Sequence, residues 1–94
     1  VGGPGERYSF VYGNSADNYE ISFIERELAE IFVLGDGDTD LDLYVYDSNG
    51  HLIAKDDDYT DRCVVSWVPA WTGRYIIKIV NRGPILNNYH LLTN

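Results

Sequence analysis

The chain contains a single cysteine, Cys63, and only seven lysines and arginines among its 94 residues. One cysteine cannot form an internal disulfide, so packing, a bound ion or both must stabilise the fold. The scarcity of cations disfavours nucleic acids and anionic membranes as partners, because attraction to phosphate requires Lys and Arg. No apolar run approaches the roughly 20 residues that a membrane helix needs. The sequence therefore describes a small acidic domain of net charge -8, with too many hydrophobic residues (45%) for a disordered chain.

The length allows one domain with one modest core, but not a core together with a deep catalytic cleft. Residues 1–6 are rich in Gly and Pro, which is the composition of a linker. We therefore expect a linker remnant over residues 1–6 and a single module over residues 7–94. The sequence has no Ser-His-Asp, Cys-His, phosphate-loop or HExxH pattern, so we predict that the chain is not an enzyme.

Hydrophobic alternation with a period of two recurs along the chain, whereas helical periodicity is hard to find. Turns with Gly, Pro or Asn separate most of the alternating segments, but residues 24–30 contain none of these and fit a short helix-like turn. About eight short strands divided in this way indicate an all-β, antiparallel β-sandwich. The predicted strands cover residues 7–12, 19–25, 29–34, 40–46, 52–55, 63–68, 74–81 and 86–93.

The same alternation predicts which side chains face the core. Cys63 shares a strand face with Val65 and Trp67, so we interpret it as a small buried hydrophobic residue. Tyr75 directly follows a Pro-containing turn, which predicts a buried ring whose hydroxyl caps a neighbouring loop. The predicted core residues are Leu41, Leu43, Val45, Val65, Trp67, Tyr75, Ile77, Ile79, Tyr89 and Leu91.

The negative charge is concentrated in one segment. Residues 36–61 hold nine aspartates against Lys55 alone, whereas the acids and bases in the rest of the chain cancel. Every acid in this segment is Asp and none is Glu, which indicates a local role for the short carboxylate. The nine are Asp36, Asp38, Asp40, Asp42, Asp47, Asp56, Asp57, Asp58 and Asp61.

A hairpin is predicted at Asn49-Gly50, because both central residues of a type I′ turn need positive φ. A two-residue or a four-residue loop gives one register, and a three-residue loop shifts it. The pairs expected without the shift are Tyr46 with Ile53, Tyr44 with Lys55, and Asp42 with Asp57.

This register gathers carboxylates at one end of the hairpin, where Lys55 and Arg62 are too few to neutralise them. Two carboxylates at ~4 Å and an effective dielectric of about 20 repel by on the order of 4 kcal/mol. A hard cation with six to eight oxygen ligands turns this repulsion into attraction, so we expect a calcium site. The alternative is that the carboxylates spread into water and bind no ion. The predicted metal ligands are Asp38, Asp40, Asp42, Asp57 and Asp58.

Two other interpretations of the acids fit less well. Residues 36–40 have the D-x-D-x-D start of an EF-hand loop, but Leu41 stands where Gly is needed and Asp47 where Glu is needed. Glycoside hydrolysis needs a desolvated acid in a sugar-sized cleft, whereas an open anionic loop keeps its acids ionised.

Aromatic residues supply the second candidate site. Tyr44 and Tyr46 are predicted to face outward from the strand that carries Asp42, and Trp71 lies within a turn. We predict that Tyr44, Tyr46 and Trp71 form a ligand surface for sugars or peptides. The alternative is that the outward tyrosines only pack across strands.

Several segments together resemble the bacterial pre-peptidase C-terminal domain, from about Tyr8 to the end of the chain. They are residues 35–47 (GDGDTDLDLYVYD), 56–58 (DDD), 63–67 (CVVSW), 69–75 (PAWTGRY) and 88–91 (NYHL). The resemblance implies a jelly-roll-like β-sandwich of secreted bacterial proteases and other extracellular proteins, typically cleaved off the proteases after secretion. Related collagen-binding modules of clostridial collagenases bind calcium and collagen. Their calcium ligands lie in an acidic N-terminal linker that residues 1–6 do not match, so collagen binding is not carried over.

We therefore expect a secreted, non-catalytic accessory module that binds an extracellular protein or polysaccharide and is stabilised by calcium. The alternative is an export- or maturation-associated appendage that contacts the catalytic domain of its parent protein and is then removed.

Overall fold

The computed structural model describes residues 5–37 and 39–94, and these residues form eight strands and no helix. Within that part of the chain, nothing has the helical length and hydropathy needed to span a membrane. The predicted all-β class is confirmed. The strands are β1 (Gly5–Val11), β2 (Ala16–Phe23), β3 (Ala29–Gly35), β4 (Leu41–Tyr46), β5 (Leu52–Asp56), β6 (Arg62–Trp67), β7 (Gly73–Asn81) and β8 (Asn87–Thr93).

The strands form two antiparallel four-stranded sheets, which we call the first and the second sheet. Their orders are β1-β8-β3-β6 and β2-β7-β4-β5. Pairs are nested, since β1 pairs with β8, β2 with β7, β3 with β6, and β4 with β5. This nesting is the topology of an eight-stranded jelly roll. β1 includes Gly5 and the residue after it, so the first sheet begins inside the stretch predicted as linker.

Alternating side chains from both sheets meet in one core. All the predicted core residues are buried except Trp67, which is partly buried and packs its ring edge-on against Phe23 at a centroid distance of 4.9 Å. Val11, Phe23, Ala29, Ile31 and Val33 complete this core from β1, β2 and β3.

Two individual predictions for core side chains are confirmed. Cys63 is 2% exposed, and its thiol donates to the carbonyl of Leu41 at 3.1 Å. Burial raises the pKa of this thiol to about 12, so no thiolate forms near neutral pH. The ring of Tyr75 is buried and its hydroxyl donates to the carbonyl of Trp71 at 3.4 Å, which ties β7 to the preceding loop.

The helix-like turn considered for residues 24–30 is not a helix. The chain makes a tight turn in which the amide of Glu27 donates to the carbonyl of Ile24 at 3.3 Å, and β3 then begins at Ala29. Arg26 takes a positive φ of 66°. Its amide donates to the carbonyl of Pro69 at 3.0 Å, so a contact with the β6–β7 loop fixes this turn.

The β4–β5 hairpin differs in one detail from its prediction. Its turn has three residues, 48–50, of which Gly50 alone has a positive φ, at 86°. Tyr46 therefore pairs with Leu52 and not with Ile53. A bulge next to Val45 absorbs the extra residue and restores the predicted register further along, where Tyr44 pairs with Lys55. The last ladder pair is Leu43 with Asp56, one position before Asp42 and Asp57.

Four loops meet at the end of the sandwich that carries most of the aspartates, which we call the acidic end. They are the β1–β2, β3–β4, β5–β6 and β7–β8 loops. Backbone hydrogen bonds connect them: Asn14 to Gly83 at 2.9 Å, Arg82 to Asp40 at 2.9 Å, and Leu41 to Thr60 at 3.3 Å.

Asn87, at the start of β8, joins the β3–β4 and β5–β6 loops through its buried side-chain amide. The nitrogen donates to the Thr39 hydroxyl at 3.0 Å and to the Asp61 carboxylate at 3.1 Å, and the oxygen accepts from the backbone amide of Asp36 at 3.1 Å. Asn87 is 0% exposed, so water cannot replace these partners if the amide is lost.

We expect Asn87→Ala to lower the free energy of unfolding by about 1–3 kcal/mol, because it leaves buried polar groups without partners. For a domain of this size the melting temperature should fall by at least about 4 °C. Asn88→Ala is the matched control, because Asn88 is exposed and its backbone amide keeps the 2.9 Å bond to Asp36. Equal melting temperatures for the two variants would contradict the role given to Asn87.

Candidate functional site: a tyrosine groove beside the acidic end

Most of the aspartates at the acidic end bond to nearby backbone or side-chain groups. Asp61 accepts from the amide of Gly37 at 2.5 Å, Asp58 from the amide of Thr60 at 2.9 Å, and Asp56 from the amide of Val64 at 2.9 Å. These short-range geometries suit Asp better than Glu, because a short side chain reaches neighbouring amides. Capping therefore accounts for much of the preference for Asp that the sequence displayed.

Asp47 lies at the opposite end, in the β4–β5 turn. Its carboxylate is 2% exposed and accepts from the amides of Asn49 and His51, both at 2.9 Å. These hydrogen bonds, that from His51 foremost, hold the pKa of Asp47 below its usual range. Asp47 is thus a turn cap, separate from the acidic end.

Asp42 is the aspartate most important for a candidate binding site. It lies on the outer face of the second sheet, is 4% exposed, and accepts from Nε of Arg82 at 2.7 Å. Arg82 also donates to the hydroxyl of Tyr44 at 3.0 Å. The hydrogen bonds to Asp42 and Tyr44 raise the pKa of Arg82, so the guanidinium stays charged. Sequence reasoning counted only Lys55 and Arg62 as neutralising cations and missed Arg82.

Of the predicted metal ligands, Asp40, Asp42, Asp57 and Asp58 lie near one another but differ in their partners. Burial first, and then the charges of Asp42, Asp58 and Asp57, raise the pKa of Asp40. Asp57 bonds to Lys55 at 3.0 Å. Among residues 5–37 and 39–94, no three His, Cys, Asp or Glu side chains come close enough together to hold a metal ion.

Two carboxylate oxygens of this group nevertheless lack partners. Oδ1 of Asp40 and Oδ1 of Asp42 are both buried and accept no hydrogen bond from the part of the chain that the structure describes. Asp38, the remaining predicted ligand, lies outside the described residues. The repulsion that the sequence predicted is therefore present at Asp40, whereas Arg82 and Lys55 relieve it at Asp42 and Asp57.

A groove of about 660 Å³ lies next to Asp42 on the outer face of the second sheet. Tyr44 and Tyr46 of β4 form one side, with ring centroids 6.5 Å apart and planes inclined by 25°. The remaining lining residues are Asn14, Ser15, Ala16, Lys78, Val80, Asn81 and Arg82. The volume is in the range of ligand-binding clefts, and the lining combines two aromatic rings with amide, hydroxyl and cationic groups.

Trp71 does not join this groove. It belongs to the β6–β7 loop, at the end of the sandwich opposite Asp42, and is 42% exposed. Its ring stacks on that of Tyr75 at a centroid distance of 6.5 Å and an angle of 15°. The structure thus brings together two of the three residues predicted as a ligand surface.

Lys78 and Arg82 are the functional residues that sequence reasoning did not find. Each lies more than 30 positions from Tyr44, and only the pairing of β4 with β7 brings them alongside it. Pairing of Tyr44 with Lys78 is a long-range contact with no local signal. A correct strand order for the second sheet would have been needed to predict it.

A second groove, of about 500 Å³, lies on the outer face of the first sheet. Tyr8 stacks on His90 there at a centroid distance of 4.0 Å, and the neighbouring side chains Phe10 and Leu34 are exposed. Its aromatic rings are paired with each other or scattered, so it offers no aligned platform comparable to Tyr44 and Tyr46.

Comparisons with known proteins support the fold alone. No family model and no curated protein matches the chain. One solved structure that it resembles is that of the Yersinia pseudotuberculosis-derived mitogen, with a TM-score of 0.69 and 13% sequence identity over 100% of this chain and 86% of that chain. At this identity the likeness extends to the arrangement of strands and not to an activity.

We expect Asp40→Asn to raise the melting temperature at pH 7 in the presence of a chelator. A carboxyl whose pKa is raised by folding binds its proton more tightly in the folded state, so its charge costs stability once the pH exceeds its usual pKa. The gain should shrink as the pH falls through that raised pKa, because Asp40 of the wild type is then neutral as well. Melting curves between pH 3 and pH 8 measure this.

Asp57→Asn is the matched control for that series. Asp57 is bonded to Lys55, so removing its charge should leave the melting temperature unchanged or lower it. If Asp40→Asn melts at a lower temperature than the wild type at pH 7 without metal, the charge of Asp40 does not destabilise the fold.

Proposed function

We propose that this chain is a non-catalytic accessory module of a secreted protein, and that it binds an extracellular polysaccharide through the groove beside Tyr44 and Tyr46. The observation that carries the proposal is the side-by-side arrangement of the two tyrosine rings, 6.5 Å apart on one strand. Aromatic rings in this arrangement offer apolar faces for the C–H groups of consecutive sugar rings.

The polar wall of the groove supports a sugar ligand. Asn14 and Ser15 add an exposed amide and a hydroxyl group to the lining, and Arg82, the partner of Asp42, adds a cation. A sugar presents alternating apolar faces and hydroxyl edges, so it matches a platform flanked by such groups. The groove lies on an open sheet face, which suits a polymer better than an enclosed small molecule.

The same region gives no support to catalysis. The carboxylate next to the groove, Asp42, is occupied by an ion pair with Arg82 at 2.7 Å. Cys63 is buried with a raised pKa, so it is not a nucleophile. The assignment to a secreted protein follows from the resemblance to pre-peptidase C-terminal domains. An exposed groove is consistent with the accessory role that this resemblance implies.

We expect Tyr44→Ala and Tyr46→Ala each to weaken binding to insoluble polysaccharide at least tenfold, because each removes one ring of the platform. Pull-down against a panel of insoluble polysaccharides and proteins, followed by isotherms on whichever is retained, measures the effect. Trp71→Ala is the matched control and should bind like the wild type, because Trp71 lies at the other end of the sandwich.

Three results would contradict the proposal. Retention on an insoluble protein alone would replace the polysaccharide by a protein ligand. Binding only to the catalytic domain of the parent protein would favour the export or maturation appendage. Loss of binding in Trp71→Ala but not in the tyrosine variants would move the site away from the groove.

We propose calcium as a second, stabilising ligand, at the acidic end. The unpartnered Oδ1 atoms of Asp40 and Asp42 are the specific observation that favours it. Hard oxygen ligands of this type are those that calcium prefers. The described side chains do not form a complete site, so calcium would have to draw Asp57 or Asp58 closer to Asp40.

Calcium at ~100 times its Kd should stabilise the native state by about 2.7 kcal/mol. For this chain length the melting temperature should rise by about 10 °C over that in a chelator. Asp40→Asn should abolish the response, and magnesium at the same concentration is the ionic-strength control. Identical melting curves with calcium and with chelator would remove the ion from the proposal without affecting the groove.

A further inference from the structure

We infer that the groove takes an acidic polysaccharide, and that Lys78 binds the negatively charged group of one sugar unit. This inference rests on the proposed function, since it names the ligand class of the same groove. Its basis is the charge balance of the outer face of the second sheet, which differs from that of the chain as a whole.

Each acidic side chain that the strands of the second sheet carry on this outer face has a cationic partner. Glu20 of β2 bonds to Arg74 of β7 at 3.4 Å, and Asp42 bonds to Arg82 at 2.7 Å. Asp57, just beyond β5, bonds to Lys55 at 3.0 Å. Three acids and three of the cations on the face therefore cancel.

Lys78 is the remaining cation on this face. Its ammonium group makes no ion pair or hydrogen bond with any residue in the described ranges 5–37 and 39–94. Its strand neighbours are Asn18 on β2 and Tyr44 on β4, neither of which carries a carboxylate. The charge of Lys78 is therefore left without an acidic partner on this face, in a chain whose formal net charge is -8.

The position of Lys78 makes this charge available to a ligand rather than to bulk solvent alone. Lys78 is partly buried and lines the groove, next to the ring of Tyr44. A partly buried ammonium that has lost some hydration gains more from a ligand anion than a fully solvated one does. Arg82 does not supply an unmatched charge of this kind, because Asp42 already balances its guanidinium at 2.7 Å.

Repulsion by the acidic end does not prevent such binding. Tyr44, the cross-strand partner of Lys78, lies four residues from Asp40, which corresponds to about 13 Å along an extended strand. That separation exceeds the screening length of about 8 Å at physiological ionic strength. The acids nearer to Lys78 are the ones that already have cationic partners.

The chemistry that fits is a sugar ring stacked on Tyr44 with a carboxylate or a sulfate directed at the ammonium of Lys78. The ligand class is therefore an anionic polysaccharide, one sugar unit of which presents its carboxylate or sulfate to Lys78. A neutral polymer would leave the charge of Lys78 unmatched in the groove. Polygalacturonate and its fully methyl-esterified form are one test pair, and dextran sulfate and dextran are the second.

The experiment compares affinities of the wild type within each pair, by affinity electrophoresis or calorimetry at 50 mM and 300 mM salt. We expect at least one acidic polymer to bind about tenfold more tightly than its neutral counterpart, the effect of one charge-assisted hydrogen bond. This preference should decrease at the higher salt concentration. The carboxylated and the sulfated pair show which anion the groove accepts.

Lys78→Gln should reduce the acidic-to-neutral ratio to about one while leaving affinity for the neutral polymer unchanged, and Lys78→Arg should retain the preference. Arg74→Gln is the matched control on the same strand and face, because Arg74 already has Glu20 as its partner. Its ratio should equal that of the wild type. Melting curves for all variants verify that each is folded.

The outcomes separate this inference from the proposed function. If a neutral polymer binds as tightly as its acidic counterpart and Tyr44→Ala loses it, the inference is overturned and the groove stands. If Lys78→Gln keeps the full acidic preference, the anion binds elsewhere and the inference is overturned as well. If no polysaccharide of any charge binds, both the inference and the proposed function fail.

Discussion

The ion pair between Asp42 and Arg82 determines how the acidic end and the groove coexist on one small domain. Asp42 is almost fully buried, and a buried carboxylate without a counter-charge would be costly to the fold. Arg82 supplies that charge from the end of β7, at 2.7 Å, and continues to the hydroxyl of Tyr44. One guanidinium thus neutralises the innermost acid, joins β7 to β4, and fixes the orientation of a groove residue.

The other aspartates are accommodated differently, by hydrogen bonds from the backbone. Asp47, Asp58 and Asp61 each accept from one or more main-chain amides in turns and loops. At position 35 a side chain would collide with the carboxyl of Asp61, so Gly35 allows this acid to approach the β3 backbone. Because amides satisfy these acids, they need no cation. Four of the seven lysines and arginines serve the outer face of the second sheet, where Lys55, Arg74 and Arg82 each pair with an acid and Lys78 does not.

The extent to which sequence reasoning succeeded follows from the range of the interactions involved. Alternation is local, so all eight strands could be predicted, together with the core residues of β4, β6, β7 and β8 but not those that β1, β2 and β3 contribute. The Tyr75 hydroxyl bond followed from a turn and a strand start. The register of the β4–β5 hairpin was predicted at Tyr44 and Lys55 but not at Tyr46, because a three-residue turn and a bulge offset each other. The groove depends on the order β2-β7-β4-β5, which connects residues far apart in the chain. No local sequence pattern around Arg82 or Lys78 indicates that they line a groove. Some of the aspartates cap backbone amides and others repel one another, and composition alone cannot distinguish the two groups.

Asp42 connects the two ligands proposed for this chain, because it is a proposed calcium ligand and also the ion-pair partner of Arg82, which lines the groove. A calcium ion that took Oδ1 of Asp42 would draw the carboxylate's charge away from Arg82, which is bound to Oδ2 of the same group. Arg82 would then hold Tyr44 less firmly and offer its own charge to the groove beside Lys78. By reciprocity, an anion that attracted Arg82 would leave Asp42 freer to bind calcium, so the two ligands should favour each other. The alternative, in which Arg82 remains the permanent partner of Asp42, leaves the groove with Lys78 as its single available charge. The affinity for an acidic polymer would then be independent of calcium. A calcium-dependent affinity therefore distinguishes a coupled pair of sites from a rigid scaffold.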